Sequence, residues 1–352
     1  MDRLRREKAK KRGSSPEQVY HEYVGRMRRR VLLQLGVAML ASPPRLFAQT
    51  ARRFRLGGLF LADEAFVKPF EDAFLAGLRD LGYVAGRNLV VDIRYARGDS
   101  ARLPALADEL IALKPDVLFG IEVVAVVMRA RTTTIPIVLP ASTDPVTAGL
   151  VQSIRRPGTN VTGMANFGDE LVAKHIELLT EIVRKISRVA LFNDPLAPAA
   201  ARFEQVARTA ATAKGLTLIV VGARDPEGVR QAFAALEKER PEGIVVVGTG
   251  RTNQLRHEII GHARRLRLPS ISALPVVAWA EAGGLITYSA NLLESYRRAA
   301  TYVGRILKGA NPAELPVEQS TRFDFVINLK TARDIGVTIP PSILVRADRL
   351  IE

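Results

Sequence analysis

Residues 70–83 read FEDAFLAGLRDLGY and residues 203–216 read FEQVARTAATAKGL. In both, Phe-Glu leads an amphipathic run, and a glycine stands twelve residues after the phenylalanine, Gly82 in one and Gly215 in the other. A helix closed by glycine and followed by a β-branched run is the punctuation of an α/β unit. A second pair follows the first. ARGDSARLPALADELIALKPDVL (96–118) aligns with ARDPEGVRQAFAALEKERPEGIV (223–245), each leaving a strand in Ala-Arg and ending a helix just before a proline. Matched spacing over two consecutive units predicts two similar lobes rather than one sheet.

Outward from these pairs the pattern continues. The first half carries strands at 56–61, 89–95, 117–119 and 135–139, with helices at 66–81 and 103–113 between them. The second half repeats strands at 189–192, 216–221 and 243–247 and helices at 199–214 and 226–240. Alternation of this kind calls for parallel sheets covered by helices, an α/β fold of two Rossmann-like lobes. Two such lobes leave a cleft bounded by the C-terminal ends of both sets of strands, the usual place for a small ligand.

The chain has 352 residues, enough for two lobes, and is 47% hydrophobic and 25% charged. Its net charge of +15 is concentrated at the start. Residues 1–48 hold 12 Lys and Arg against 4 Asp and Glu, leaving 39 against 32 for the rest. No later segment gathers that surplus into a basic stripe, so no nucleic-acid partner is expected. The stretch RMRRRVLLQLGVAMLASPPRLFAQT (26–50) has arginines, then an apolar run too short to span a bilayer, then a proline-containing region ending near Ala48. That order predicts a signal peptide cut after Ala48, exported by the general or the twin-arginine route. Residues 1–48 thus read as a basic extension and signal peptide, with translation beginning at Met1 or Met27. There is no cysteine, which excludes disulfides, thiolate metal sites, a cysteine nucleophile and a lipid-bearing cysteine. A periplasmic protein without stable membrane insertion is expected.

IPIVLPASTDPVTAGL (135–150) breaks from a buried strand into Ser142, Thr143 and Asp144. Hydroxyls and free amides at a strand end can hold a carboxylate. Asp144 either meets an amine or caps the following turn. Glu122 follows the strand at 117–119 in apolar surroundings, and is either partnered by a ligand cation or exposed in a first helical turn. Asp63 and Glu64 follow the first strand, and Asn193 and Asp194 follow its counterpart in the second lobe. These four are walls of one cleft or solvated loop residues. Tyr288 either stacks on a ligand or packs in the core. Trp279, in the apolar VVAWAEAG run, reads as structural.

Catalytic patterns fail. In HEIIGH the histidines, His257 and His262, are five apart and face different sides of a helix. GTGRTN after the strand at 243–247 has Asn253 where a dinucleotide loop has its last glycine, and there is no GxSxG. No enzyme, no cofactor and no metal site is expected.

LRDLGYVAGRNLVVDIRYARGDSARLPALADEL (78–110), TTTIPIVLPASTDPVTAGLVQSIRRPGTNVTGM (132–164) and the stretch from WAEAGGLITYSANLLESY to PPSILVRAD (279–348) together resemble ABC-transporter substrate-binding proteins of the tryptophan/tyrosine type. The resemblance implies a type I periplasmic-binding-protein fold, two lobes joined by crossover strands. Lobe one would be 54–162 plus 289–316, and lobe two 163–288 plus 317–352. It also implies a small polar or zwitterionic ligand, amino-acid-like with aromatic members of that class included, delivered to an inner-membrane ABC permease. Cleft positions then include Val123, Thr249 and Ala273 beside the residues above. This chain departs from the family where Gly120 is followed by Ile121-Glu122, where Thr143 precedes Asp-Pro, and in GTGRTN. The alternative on the same fold is the ligand-sensing domain of a regulator.

Overall fold

The computed structural model describes residues 53–166, 168–183 and 185–352, and the expected signal peptide lies outside them. The chain opens with β1 (Phe54–Phe60), α1 (Glu64–Asp80), β2 (Leu89–Tyr95), α2 (Leu103–Ala112), β3 (Val117–Phe119), α3 (Glu122–Arg129), β4 (Ile137–Leu139) and β5 (Val161–Ala165). It continues with α4 (Gly168–Ile182), β6 (Arg188–Asn193), α5 (Ala200–Ala213), β7 (Thr217–Gly222), α6 (Pro226–Glu239), β8 (Gly243–Val246), α7 (Gly250–Gln254), α8 (Arg256–Arg265), β9 (Ser270–Ser272) and β10 (Ile286–Ala290). The C-terminal part supplies α9 (Leu292–Leu307), β11 (Glu318–Gln319), β12 (Phe323–Asn328), α10 (Leu329–Ile335), α11 (Pro341–Leu344) and β13 (Arg349–Ile351).

These form two sheets, a six-stranded one ordered β11-β5-β4-β3-β1-β2 and a seven-stranded one ordered β13-β12-β10-β9-β8-β6-β7. Every pairing is parallel except β10 with β12. Each sheet has helices on both faces. In the first, Phe74 of α1 stacks on Phe119 of β3 beside residues of α9, and Leu103, Leu110 and Met128 fill the other face. In the second, Leu178, Leu179 and Phe203 lie on one side and Phe233 and Trp279 on the other. Trp279 is fully buried, a core residue of its lobe.

The strand pairings run a few residues past the lobe bounds that the resemblance implies, at 162, at 288 and at 316, where Glu318 and Gln319 of β11 pair with β5 in the first sheet. Residues 163–165 belong to β5 and pair with β4 or β11 in the first sheet, while residues 289 and 290 complete β10 in the second. Strand pairing carries each run on to its last hydrogen-bonded residue, and the chain crosses only where that ladder ends. Gly163 is the last residue of β5 that pairs with β4. Its φ is +137°, and a Cβ there would sit 2.2 Å from the Leu139 carbonyl oxygen, so only glycine lets β5 lie against β4.

The repeated stretches occupy equivalent places. Phe70 and Phe203 are both buried, on α1 and α5. Gly82 and Gly215, at φ +88° and +68°, follow those helices in the left-handed conformation that ends them. The next helices end on Lys114 and Arg240, again left-handed at +52° and +50°. After each proline an acid reaches back to the first strand of its lobe: Arg55 N donates to Asp116 Oδ2 at 2.8 Å, and Arg188 N to Glu242 Oε2 at 2.7 Å.

Candidate functional site

Because β3 and β4 are parallel neighbours, the chain leaves both at one edge of the first sheet. Glu122 opens α3 there, and residues 142–144 follow β4. Ser142 Oγ donates to Glu122 Oε2 at 2.6 Å, and the Thr143 and Asp144 amides donate to the same oxygen at 2.7 and 2.9 Å. Burial pushes the Glu122 carboxyl above its ordinary pKa, opposed by these three hydrogen bonds and reinforced by the Asp144 charge.

Asp144 caps the next turn. Its Oδ1 accepts from the Val146 and Thr147 amides at 3.1 and 3.0 Å, and its Oδ2 from Thr147 Oγ1 at 2.6 Å. Arg202 of α5, in the other lobe, also reaches Asp144 Oδ2, at 3.4 Å.

At the facing edge, β6 delivers Asn193 and Asp194, both buried. Asn193 Nδ2 donates to the Ala200 carbonyl at 2.8 Å, tying down the start of α5. Asp194 Oδ2 accepts from Thr249 Oγ1 at 2.9 Å, with Arg251 Nε 3.7 Å from its Oδ1. Thr249 caps α7 in a reciprocal pair with Thr252. The GTGRTN stretch is therefore a helix start, with Asp194 beneath it.

Between the two edges lies a pocket of about 50 Å³. Thr143 and Leu292 of the first lobe line it, with His175, Phe203 and Ala273 of the second and Asn166 at the crossing. Fully buried His175 contacts the Tyr288 carbonyl through Nε2 at 2.7 Å. A carbonyl only accepts, so Nε2 carries the hydrogen. Burial pushes this imidazole down to about 4, against the pull of that carbonyl. The ring is then neutral at pH 7 and its Nδ1 is an acceptor, one without a hydrogen-bond partner among the described residues. Asn166 Oδ1 is likewise buried and unpartnered there.

Two of the residues singled out in the sequence, Thr143 and Ala273, line this pocket, and Ser142, Asp144 and Glu122 back onto Thr143. Asp194 and Thr249 form the opposite cluster. Tyr288 contributes its carbonyl, while its ring stacks on Phe323 at 5.7 Å and packs edge-on against Phe325. Asp63 is exposed and caps α1 by accepting from the Phe66 amide, Glu64 is exposed in the first turn, and Val123 is 40% exposed. His175, Asn166 and Phe203 are not among the site residues that the sequence points to. His175 sits in LVAKHIELL among residues spaced to face a core, so its sequence signal is that of a packed helix face.

The lobes are held against each other by further contacts. Gln254 Nε2 donates to the Gly98 carbonyl at 2.9 Å, and the Arg256 guanidinium lies 5.6 Å from the Phe66 ring centroid. Among the described residues, no group of three or more His, Asp or Glu could hold a metal ion, and no helix is long and apolar enough to cross a membrane.

Comparison with known proteins adds sequence and fold relatives. A family profile described as ABC transporter substrate binding protein matches residues 63–351. A curated tyrosine-binding protein of Clostridioides difficile (strain R20291) is 27% identical over 168 residues, 45% of this chain and 48% of that protein. The match thus spans about half the length of that relative. The crystal structure of a conserved domain protein from Vibrio cholerae superposes with a TM-score of 0.78 at 28% identity, over 85% of this chain and all of the other. A Streptococcus pneumonia ABC domain in complex with L-Trp gives 0.78 at 22% identity, again over 85% of this chain and all of the other, and bears on the fold alone.

Proposed function

Because the chain belongs to the ABC transporter substrate-binding protein family, we propose that it is a soluble periplasmic receptor. It captures a small polar or zwitterionic ligand, amino-acid-like with aromatic members of that class included, and presents it to an inner-membrane ABC permease. The observation that carries this reading is the pocket at the meeting of two lobes, lined from both of them. Contacts between the lobes, such as Arg202 with Asp144, close the walls around that pocket. The receptor performs no covalent chemistry. Its work is differential affinity, because a ligand that touches both walls favours the closed arrangement over the open one. The name of one relative, tyrosine-binding, supports the choice of an amino-acid-like ligand.

The test is thermal unfolding of the purified protein against amino acids and the acids and amines related to them, with native mass spectrometry of freshly purified material. At least one compound should raise the midpoint, and a co-purified species should match it. A midpoint insensitive to the whole panel, with no bound small molecule, would overturn the reading. Fractionation of cells producing the tagged full chain tests export: a full-length cytosolic species would favour a regulator's sensing domain instead.

A further inference from the structure

A carboxylate already sits where a ligand carboxylate would be expected. Three donors on consecutive residues, Ser142 Oγ and the Thr143 and Asp144 amides, converge on one oxygen of Glu122 at 2.6–2.9 Å. These are the distances of charge-assisted hydrogen bonds, and consecutive amides of this kind form an anion nest. The nest stands at a strand end, Ser142 is buried, and Thr143 lines the pocket. A ligand carboxylate entering it would have to expel Glu122 and leave that carboxylate without its three donors, at the cost of an unsatisfied buried charge. Arg202, the cation reaching this edge from the other lobe, is paired with Asp144.

An independent observation concerns the rest of the pocket lining. His175 and Asn166 both line the pocket, and His175 Nδ1 and Asn166 Oδ1 are buried acceptors without partners among the described residues. Acceptors of this kind are satisfied by a molecule that donates.

We infer that Glu122 is a built-in occupant of the strand-end anion site, and that the cleft selects its ligand by a donor head, an amine or ammonium, and not by a free carboxylate. This rests on the receptor reading above and narrows its ligand class. Glu122 sets the specificity from behind, by removing the donors a carboxylate would use, while His175 and Asn166 meet the ligand's donors directly.

The test has two arms. In the first, calorimetry compares tryptamine with L-tryptophan and tyramine with L-tyrosine on the wild type and on Glu122→Ala. The wild type should bind at least one amine no more weakly than its parent amino acid, and Glu122→Ala should move that ratio toward the amino acid by about tenfold or more. In the second arm, about 50 mM acetate should raise the unfolding midpoint of Glu122→Ala by about 2 °C over equal chloride, while leaving the wild type unchanged. Glu122→Gln, which keeps an acceptor in the nest, should behave as the wild type in that arm.

A wild-type preference of about tenfold for the amino acid over its amine overturns the inference, as does a Glu122→Ala protein indifferent to acetate. If none of the four compounds binds the wild type, the donor-head class falls; the acetate arm then separately decides whether the nest is an anion site. If Glu122→Ala does not fold, the amine-to-amino-acid ratio of the wild type decides alone.

Discussion

A single buried imidazole shows how a residue can couple the pocket to the stability of its lobe. His175 titrates near 6.5 in the unfolded chain and at about 4 in the folded one, where burial disfavours the cation. Between those values the unfolded chain takes up a proton that the folded chain refuses. The contribution of His175 is therefore complete above about pH 6.5 and is lost as pH falls toward 4, a change of about 3 kcal/mol. His175→Gln keeps a donor for the Tyr288 carbonyl and has no charge to gain. Urea denaturation at pH 7 and at pH 4.5 should show the wild type losing more stability on acidification than this variant. Equal losses would place the acid sensitivity elsewhere. The same side chain also illustrates what a residue hides in sequence. As one polar residue on an apolar helix face it carries the sequence signal of a packed core position, and only the fold shows it lining the pocket.

At the scale of elements, the two lobes share their turn chemistry, and that sets a graded expectation for glycine. Gly82 and Gly215 are left-handed with open space around a would-be methyl group. Replacement by alanine at either should cost only the conformational penalty, about 1 kcal/mol. Gly163 combines positive φ with a backbone oxygen 2.2 Å from the added carbon, so Gly163→Ala should cost at least about 3 kcal/mol or abolish folding. Urea midpoints of the three variants check the order, and a mild Gly163→Ala would show that β5 can shift away from β4. These elements also show what could be read in advance. Helices and strands were legible because their periods differ, and Gly82 and Gly215 because glycine is the residue that closes a helix cheaply. The antiparallel entry of β12 beside β10 was not, since pairing direction depends on a connection that crosses lobes. The Glu122 contacts were half legible. Both partners were marked as strand-end residues, but that they bond each other depends on β3 and β4 being neighbours, a property of the sheet and not of either segment.

For the whole molecule, the question is what holds the lobes together, because closure is what a receptor would use to discriminate. The contacts named above across the cleft rest in part on exposed side chains. The Arg202 side chain is 53% exposed while its partner Asp144 is 11% exposed, so the pair contributes about 0.5–1 kcal/mol once solvent screening is allowed for. The Arg256 contact with Phe66 adds a similar amount, about 0.5–1 kcal/mol. Neither is large beside the burial within each lobe, where truncating a residue such as Phe74 would cost about 3–5 kcal/mol. Removing both cross-lobe contacts in Arg202→Ala/Arg256→Ala should leave each lobe folded while shifting the closed–open balance by about 1–2 kcal/mol. Small-angle scattering of the ligand-free double variant should then give a larger radius of gyration than the wild type. Any ligand found by the panel should bind it more weakly by about fivefold to thirtyfold, because a smaller fraction of molecules is closed beforehand. An unfolding midpoint close to that of the wild type would show that the loss lies in closure and not in the lobes. Identical scattering and identical affinity would instead mean that the Gln254–Gly98 hydrogen bond and the crossing segments at Asn166, Asn291 and Ser320 fix the lobes without help from the two arginines.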